Sequence, residues 1–396
     1  MKLLWILGIS GFLVNADSRA IAPVLPAIAD DLLIREAAVG LLVSAFTIPY
    51  GLFQLIYGPV ADKFGKLQII SIALFLFSFA ELACSYADSF TSLLLFRIIS
   101  GTFAAGIIPV SLAQIGDSFT FEERPKAIAF FMSLSMSGQA LGIVLGSMLA
   151  HFFSWKFIFL AIGIAGMLVG FAFLRQKSRM VPIAPKEQIP LKERYQRIFS
   201  SRRSRTVYLA VALEGVILFG GFTYLGVYGN KFLGLDYFTV GLLTAGFSVA
   251  AFIGSHFVST IIKQVGQHRM PLIGSTLLTC AFGLIWLIPH WGALLAGFLL
   301  LGLGFIVLHT TLQTYATELL PEARSTCMSL FAFFLFLGNG IGPACLGWVY
   351  EAGGAQGMLA STTASLLVYT IYCHVAFKPF AAALTVKDRE VRRTDE

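Results

Sequence analysis

IISIALFLFSFAELAC, residues 69–84, is apolar or small at every position except Glu81. A lipid-facing barrel strand would alternate apolar and polar residues over short segments, and this run does not alternate. It reads instead as a helix in hydrocarbon, where the backbone satisfies its own hydrogen bonds. Comparable runs of about twenty residues recur along the chain, the length that crosses a ~30 Å core at 1.5 Å per residue. The approximate spans are 4–26, 37–59, 67–88, 91–115, 125–150, 156–174, 206–229, 238–262, 271–289, 292–316, 325–350 and 356–377. This pattern predicts an all-α membrane protein of twelve transmembrane helices.

Composition points the same way. Of 396 residues, 57% are hydrophobic and 12% charged, with a mean hydropathy of +0.81; soluble domains carry roughly 25% charged residues. Cys84, Cys280, Cys327, Cys345 and Cys373 all fall in predicted spans without CxxC spacing. They read as small core residues, with no disulfide framework and no metal site. No GxxxxGK[ST] loop is present, so ATP is not expected as an energy source, and no cofactor is expected.

Basic residues set the expected orientation. With both termini in the cytoplasm, only Arg35, Lys156 and Lys231 lie outside, and Arg19 and Arg97 lie within spans. The remainder of the 28 Lys and Arg residues face the cytoplasm, as the positive-inside rule requires. The pI of 9.2 then reflects topology and attraction to anionic lipid, not nucleic-acid binding. The first run has one other reading, a cleaved signal peptide with Lys2 as its basic start and VNA or AIA before the cut. Removing that helix would invert every later loop and put the most basic one outside.

That loop, residues 175–205, is too polar for the bilayer and divides the chain. An N-terminal six-helix bundle covers 1–174, the cytoplasmic linker 175–205, and a C-terminal bundle with a short cytoplasmic tail 206–396. The linker reads as a tether, part of which is a candidate interfacial helix. The two halves resemble each other at an offset of 200 residues: Glu122 falls on Glu322, Arg124 on Arg324, Gly138 on Gly338 and Gly142 on Gly342. Internal repeats of this kind mark secondary transporters, whose halves rock around a site near the midplane.

GPVADKFGK, Gly58 to Lys66, stands between spans two and three, and LLLFRIISG opens span four. Read locally, the first is a solvated turn in which Gly58 and Gly65 permit close approach. Together the two resemble the signature loop GxxxDRxGR and the span-four arginine of the major facilitator superfamily. SGQALGIVLGSM in span five is similar to the antiporter signature GxxxGPxxGG of that family, with Ile143 at the proline position and Ser147 at the last glycine. GNGIGP in the second half is the better copy, because Pro343 follows Gly342. DSRAIAPVLP in span one resembles the antiporter pattern DxTxxNxALP, with Arg19 where a small or hydroxylated residue is usual, and WKFIFL resembles the start of span six.

The resemblance covers nearly the whole chain. It implies two pseudo-symmetric six-helix bundles and a conformational latch of Gly58, Asp62, Lys63, Gly65, Lys66 and Asp117. Lys63 and Lys66 replace the commoner arginines, which weakens bidentate pairing. The second-half counterpart keeps Gly266 but has Lys263 where Asp62 stood. It also implies that spans one, four, seven and ten line the central cavity. Gly138, Gly142, Gly146, Gly338, Gly342 and Pro343 have a purely structural reading as well, close helix packing.

Depth arithmetic selects the candidate proton-coupling residues. Asp17 and Glu81 lie about 20 Å from the cytoplasmic ends of their helices, and Arg97 about 10 Å from the outer end of its own, which is one level of a ~30 Å core. Ionisable groups at that depth are costly, ~2.5–3.5 kcal/mol for an arginine, and usually mark a pathway or relay. Asp17 and Arg19 point about 200° apart around a helix and cannot pair with each other. The cavity-lining spans that the resemblance implies make Arg97 the expected partner of Asp17, which leaves Glu81, or another group, for Arg19.

In this reading Asp17 exchanges a proton while Arg97 engages and releases it; the alternative is a static ion pair that fixes packing. Glu214 and His309, with Tyr224, Tyr228 and Tyr315, are candidates for the substrate cavity, while His256 and His374 read as packing residues. The expected protein is a plasma-membrane drug:proton antiporter, a monomer exporting small organic compounds, with protons and lipid as its other partners. An uptake symporter is the nearest alternative. A lipid flippase or a membrane sensor is further off, the flippase needing a lateral opening and the sensor a larger cytoplasmic domain.

Overall fold

The apolar runs fold as helices, in a computed structural model that describes residues 2–119, 123–174, 190–320 and 323–378. Every regular element among these residues is helical. The first half comprises α1 (Lys2–Ala20), α2 (Leu25–Asp31), α3 (Gly40–Phe64), α4 (Lys66–Ser85), α5 (Phe90–Ala104), α6 (Ile107–Ser118), α7 (Arg124–Phe152) and α8 (Lys156–Leu174). After α9 (Leu191–Ser200) come α10 (Arg202–Glu214), α11 (Gly220–Val227), α12 (Tyr237–Val265), α13 (Met270–Leu287), α14 (Trp291–Thr317) and α15 (Arg324–Phe377).

Ten helical runs among the described residues are long and apolar enough to cross a membrane. Two expectations are reshaped by this count. The run expected as one helix over 4–26 breaks after Ala20 into a 3-10 turn, Ala22–Val24, and then α2. Pro23 and Pro26 cannot donate to a helical ladder, and Asn15, Asp17 and Arg19 keep this run out of the ten. The last two expected spans instead form one element of 54 residues, α15, which kinks at Gly354 with φ 60° and ψ −164°. Only glycine holds that conformation without strain.

Of the linker, residues 175–189 lie outside the described residues. The remainder forms α9, with Ile198 buried and a Glu193–Arg197 ion pair of 2.6 Å on its outer face. The next helix begins at Arg202, ahead of the expected start at 206. Cys84, Cys327 and Cys373 are buried, but Cys280 and Cys345 are exposed, so the reading of all five as core holds for three.

Glycines determine how the helices of each half meet. A Cβ on Gly138 would lie 2.2 Å from the carbonyl oxygen of Phe12, and one on Gly142 2.5 Å from Cα of Ala16. One on Gly146 would lie 2.8 Å from Cβ of Ala20. In the second half, Gly338 and Gly342 press equally closely on the carbonyl oxygens of Ala212 and Val216, at 2.3 and 2.2 Å. The repeat legible at 138 and 338 thus extends to what each glycine touches, 12 against 212 and 16 against 216. Gly101 repeats the device between α5 and α3, where a Cβ would come 2.1 Å from the oxygen of Phe46; Gly302 does so against Phe247.

The halves meet at the face opposite the termini. Lys231 pairs with Asp30 at 2.5 Å, Arg35 pairs with Glu351, and His151 lies 3.5 Å from Asp236. Tyr350 donates to Glu36 at 2.6 Å and Tyr237 to Asp30 at 3.2 Å. Toward the terminal face, contact between α3 and α15 reaches Tyr50 and Gly51 against Phe336. Beyond it, a Cβ on Gly58 would meet nothing within 4 Å.

Candidate functional site

The break in the first run leaves Asp17 and Arg19 on the last turn of α1. Arg97 of α5 reaches Asp17 with one guanidinium nitrogen, Nη1, which donates to both carboxylate oxygens at 2.8 Å. Glu81 of α4 brings Oε1 to 3.6 Å from the same nitrogen, and that oxygen also accepts a hydrogen bond from Ser100. Asp17 and Arg97 are each 1% exposed and Glu81 is 0% exposed, so water does not screen the cluster. The close approach at Gly101 sets the Phe46 ring under the guanidinium, 4.3 Å from its centroid, with Phe159 at 5.6 Å.

Two carboxylates therefore share one cation. One proton on the pair makes the cluster neutral; none leaves a net negative charge at hydrocarbon depth, where unpaired charge is costly. Glu81 Oε2 has no hydrogen-bond partner among the described residues, which leaves an oxygen free to carry that proton. Asn15, two residues before Asp17, holds α1 in place by donating to the carbonyl oxygen and hydroxyl of Ser135 at 3.0 and 2.8 Å.

Arg19 does not pair with Glu81, which is engaged by Arg97 and Ser100. The helical rotation that separates residues 17 and 19 turns Arg19 toward the second half. Its Cζ lies 4.4 Å from the ring centroid of Phe219, 5.8 Å from Phe222 and 6.0 Å from Phe247. Cation–π contact and the negative end of the α1 dipole both favour a cation there. Phe219 is presented by a wider π-type turn, Gly215–Phe219, which interrupts the helix after Glu214. Ser100, Phe46, Phe219 and Phe222 were not singled out in the sequence, where nothing distinguishes them from the other serines and 37 phenylalanines.

In the second half, Glu214 and His309 stand together. His309 Nδ1 lies 3.3 Å from each Glu214 oxygen, with the imidazole against Phe305 and Phe331. The three tyrosines make contacts of their own. The Tyr224 hydroxyl donates to the carbonyls of Ala37 and Pro343, closing the face opposite the termini. Tyr228 donates to Ile285, and Tyr315 stacks on Phe377 at 5.6 Å. All three are buried in helix packing, because each phenol follows its helix's inner face to a backbone or ring neighbour.

At the terminal face, Lys66 pairs with Asp117 at 2.5 Å, joining α4 to α6. Gly65 turns the chain between α3 and α4 with φ 96°, as Gly266 does between α12 and the turn before α13 with φ 84°. Lys63 lies over Phe64 at 5.2 Å. The side chain of Asp62, and the repeat residues Glu122 and Glu322, lie outside the described residues.

Known proteins share this fold. A family model described as Major Facilitator Superfamily matches residues 7–343 and 231–393. An uncharacterized MFS-type transporter of Bacillus subtilis (strain 168), YceJ, is 23% identical over 375 residues, 94% of this chain and 95% of its own. The quinolone resistance protein NorA of Staphylococcus aureus (strain MSSA476) is 25% identical over 359 residues, covering 88% and 90%. A bacterial homolog of the human lysosomal transporter Spinster, solved inward-facing and unoccupied, superimposes with a TM-score of 0.81 over 96% of this chain and 97% of its own, at 19% identity.

Proposed function

This chain belongs to the major facilitator superfamily, and we propose that it is a proton-coupled antiporter that exports small organic compounds from the cytoplasm. As a family member it is a multi-pass membrane transporter and not an enzyme. The finer reading takes α1 with α2 as one crossing and divides α15 at Gly354, which gives twelve crossings, with both termini in the cytoplasm of a plasma-membrane monomer. The name of the quinolone resistance relative supports export of drug-like compounds.

The observation that carries the proton reading is the buried cluster, two carboxylates on one guanidinium. Asp17 and Glu81 hold one proton between them while Arg97 bridges them. When the halves rock, a shift of α5 against α1 separates Arg97 from Asp17, and the ionised carboxylate then takes up a proton from the side to which it opens. Each charge carried across 100 mV supplies ~2.3 kcal/mol, enough to drive substrate uphill. With contacts between the halves concentrated opposite the termini, the conformation described is the one open toward the terminal face. The Lys66–Asp117 pair and the glycine turn beside it act as the latch for the opposite state.

Asp17→Asn and Glu81→Gln test the reading in proteoliposomes containing the full chain. Substrate-driven proton movement should disappear in Asp17→Asn while thermal unfolding stays near wild type. Full proton movement in both variants would refute the assignment.

A further inference from the structure

Glu214 and His309 are a buried titratable pair that the proton cluster of the first half does not use. The Glu214 side chain is 0% exposed and that of His309 16%. Nδ1 lies 3.3 Å from each carboxylate oxygen, and no lysine or arginine lies within ion-pair distance of Glu214 among the described residues. On α15 the titratable neighbours are Tyr369, which donates to the Ala210 carbonyl at 2.9 Å, and Cys373, both groups that are neutral at ordinary pH. From the first half, Arg19 meets the pair only through the rings of Phe219 and Phe305. One proton between carboxyl and imidazole therefore makes the pair neutral, whichever of the two holds it. None leaves an unpaired charge at hydrocarbon depth.

The two ring nitrogens of His309 face different surroundings. Nε2 makes no hydrogen bond to the described residues and is not sealed from solvent. Phe305 stacks on the imidazole at 4.8 Å and Phe331 meets it edge-on at 5.2 Å, which holds Nδ1 on Glu214 and Nε2 away from it. Gln313, one turn nearer the terminal face on the same side of α14, is exposed. In the other direction that side closes at Gly302, where a Cβ would lie 2.1 Å from the carbonyl oxygen of Phe247. The imidazole thus stands between a sealed carboxyl and the side of the protein that is open in this conformation.

We propose that Glu214 and His309 form a second proton site, in which His309 relays a proton between Glu214 and the cleft toward the termini. This rests on the antiport reading above and adds a second proton to each cycle. In this conformation the proton leaves: the Glu214 O–H bond breaks as Nδ1–H forms, and Nε2–H breaks as a water takes that proton. The imidazole ends neutral with its hydrogen on the other nitrogen, and Glu214 ends ionised, accepting from Nδ1–H. The Asp17–Arg97 contact still sets the rocking, so Asp17→Asn stops both protons. Glu214→Gln, uncharged as the protonated pair is, leaves turnover running with one proton fewer, because His309 without a counter-charge stays neutral.

The number of protons exchanged per substrate tests this in proteoliposomes of the full chain, with the membrane potential clamped at zero and a compound whose cellular accumulation this protein lowers. The pH gradient that halts net flux against a fixed compound gradient gives that ratio, which a change in affinity for the compound does not alter. The wild-type ratio should be two, and Glu214→Gln and His309→Gln should each give one. A wild-type ratio of one, or a ratio of two in either variant, overturns the second site and leaves the antiport reading standing; a wild-type ratio of zero overturns both. Nitrogen NMR of the histidine-labelled full chain in detergent decides the matter should the variants not transport, the His309 signals being those lost in His309→Gln. From mild alkali to mild acid, Nε2 should gain a proton, and Glu214→Gln should abolish this change. An Nε2 signal that does not move with pH, or that moves equally in Glu214→Gln, overturns the relay.

Discussion

Removing Arg97 should be far more damaging than removing either carboxylate it holds, and the geometry says why. In Asp17→Asn, Glu81 is still 3.6 Å from Nη1, so one carboxylate and one guanidinium remain. In Glu81→Gln, the contact of Nη1 with both Asp17 oxygens at 2.8 Å remains. Arg97→Leu leaves two carboxylates, at 1% and 0% exposure, with no cation at all. Breaking a buried pair by removing one partner costs about 3–5 kcal/mol, and here the removal strands the one carboxylate that stays ionised while the pair shares a proton. Either carboxylate variant should cost less than about 1.5 kcal/mol, the scale of a typical net hydrogen bond. The assay is chemical unfolding of the full chain in mixed micelles. Adding Asp17→Asn and Glu81→Gln to Arg97→Leu should recover most of the loss, because no ionised group is then left in the cluster. The reasoning is refuted if Arg97→Leu is no less stable than Asp17→Asn, or if the triple variant is no better than Arg97→Leu.

Three further outcomes follow from other contacts. Gly142→Leu should destabilise by about 1–3 kcal/mol through overpacking, because its Cβ would sit 2.5 Å from Cα of Ala16; Gly58→Leu, where nothing lies within 4 Å, should be near neutral in the same thermal-unfolding measurement. Asp236 caps α12, and hydrogen bonds from the hydroxyl and amide of Thr239 hold its carboxyl below the usual range. A depressed carboxyl contributes stability above its unfolded pKa and loses it as pH falls through the folded one, so Asp236→Ala should speed hydrogen exchange in the first turn of α12 at neutral pH and not under strong acid. Bridging the D30C/K231C pair with a bifunctional methanethiosulfonate reagent, in a background lacking Cys280 and Cys345, should halt transport until a reductant is added, since the Lys231 side chain reaches Asp30 across the seam between the halves in this conformation; transport unaffected by the bridge would contradict closure at that face.

Much of this was legible because a bilayer leaves few options. Run length, the offset of 200 residues and the placement of lysine and arginine are one-dimensional signals, and the fold class depends on little else. Depth is also one-dimensional, so Asp17, Glu81 and Arg97 were placed at one level before any contact was known. What the sequence does not carry is rotation about each helix axis. Helices such as α4 are apolar almost all round, so no amphipathic stripe says whether Glu81 faces Arg19 or Arg97. The tyrosines show the same limit: Tyr224 and Tyr228 lie on the expected span, but which carbonyl a buried phenol meets depends on helix rotation. The halt of α1 after Ala20, which run length alone passed over, has its cause in Pro23 and Pro26, and it is this halt that puts Arg19 at a helix end facing the second half. Pairing of Glu214 with His309 is fixed only by the packing of α10 against α14.

The central claim is that proton flow through the Asp17–Arg97–Glu81 cluster drives export. Its most direct measurement uses everted vesicles with an established pH gradient, to which a compound whose cellular accumulation this protein lowers is added. The account predicts that the compound dissipates the gradient with the wild-type chain and leaves it intact with Asp17→Asn. Undiminished dissipation by Asp17→Asn, or proton movement in the same direction as the substrate, would contradict it.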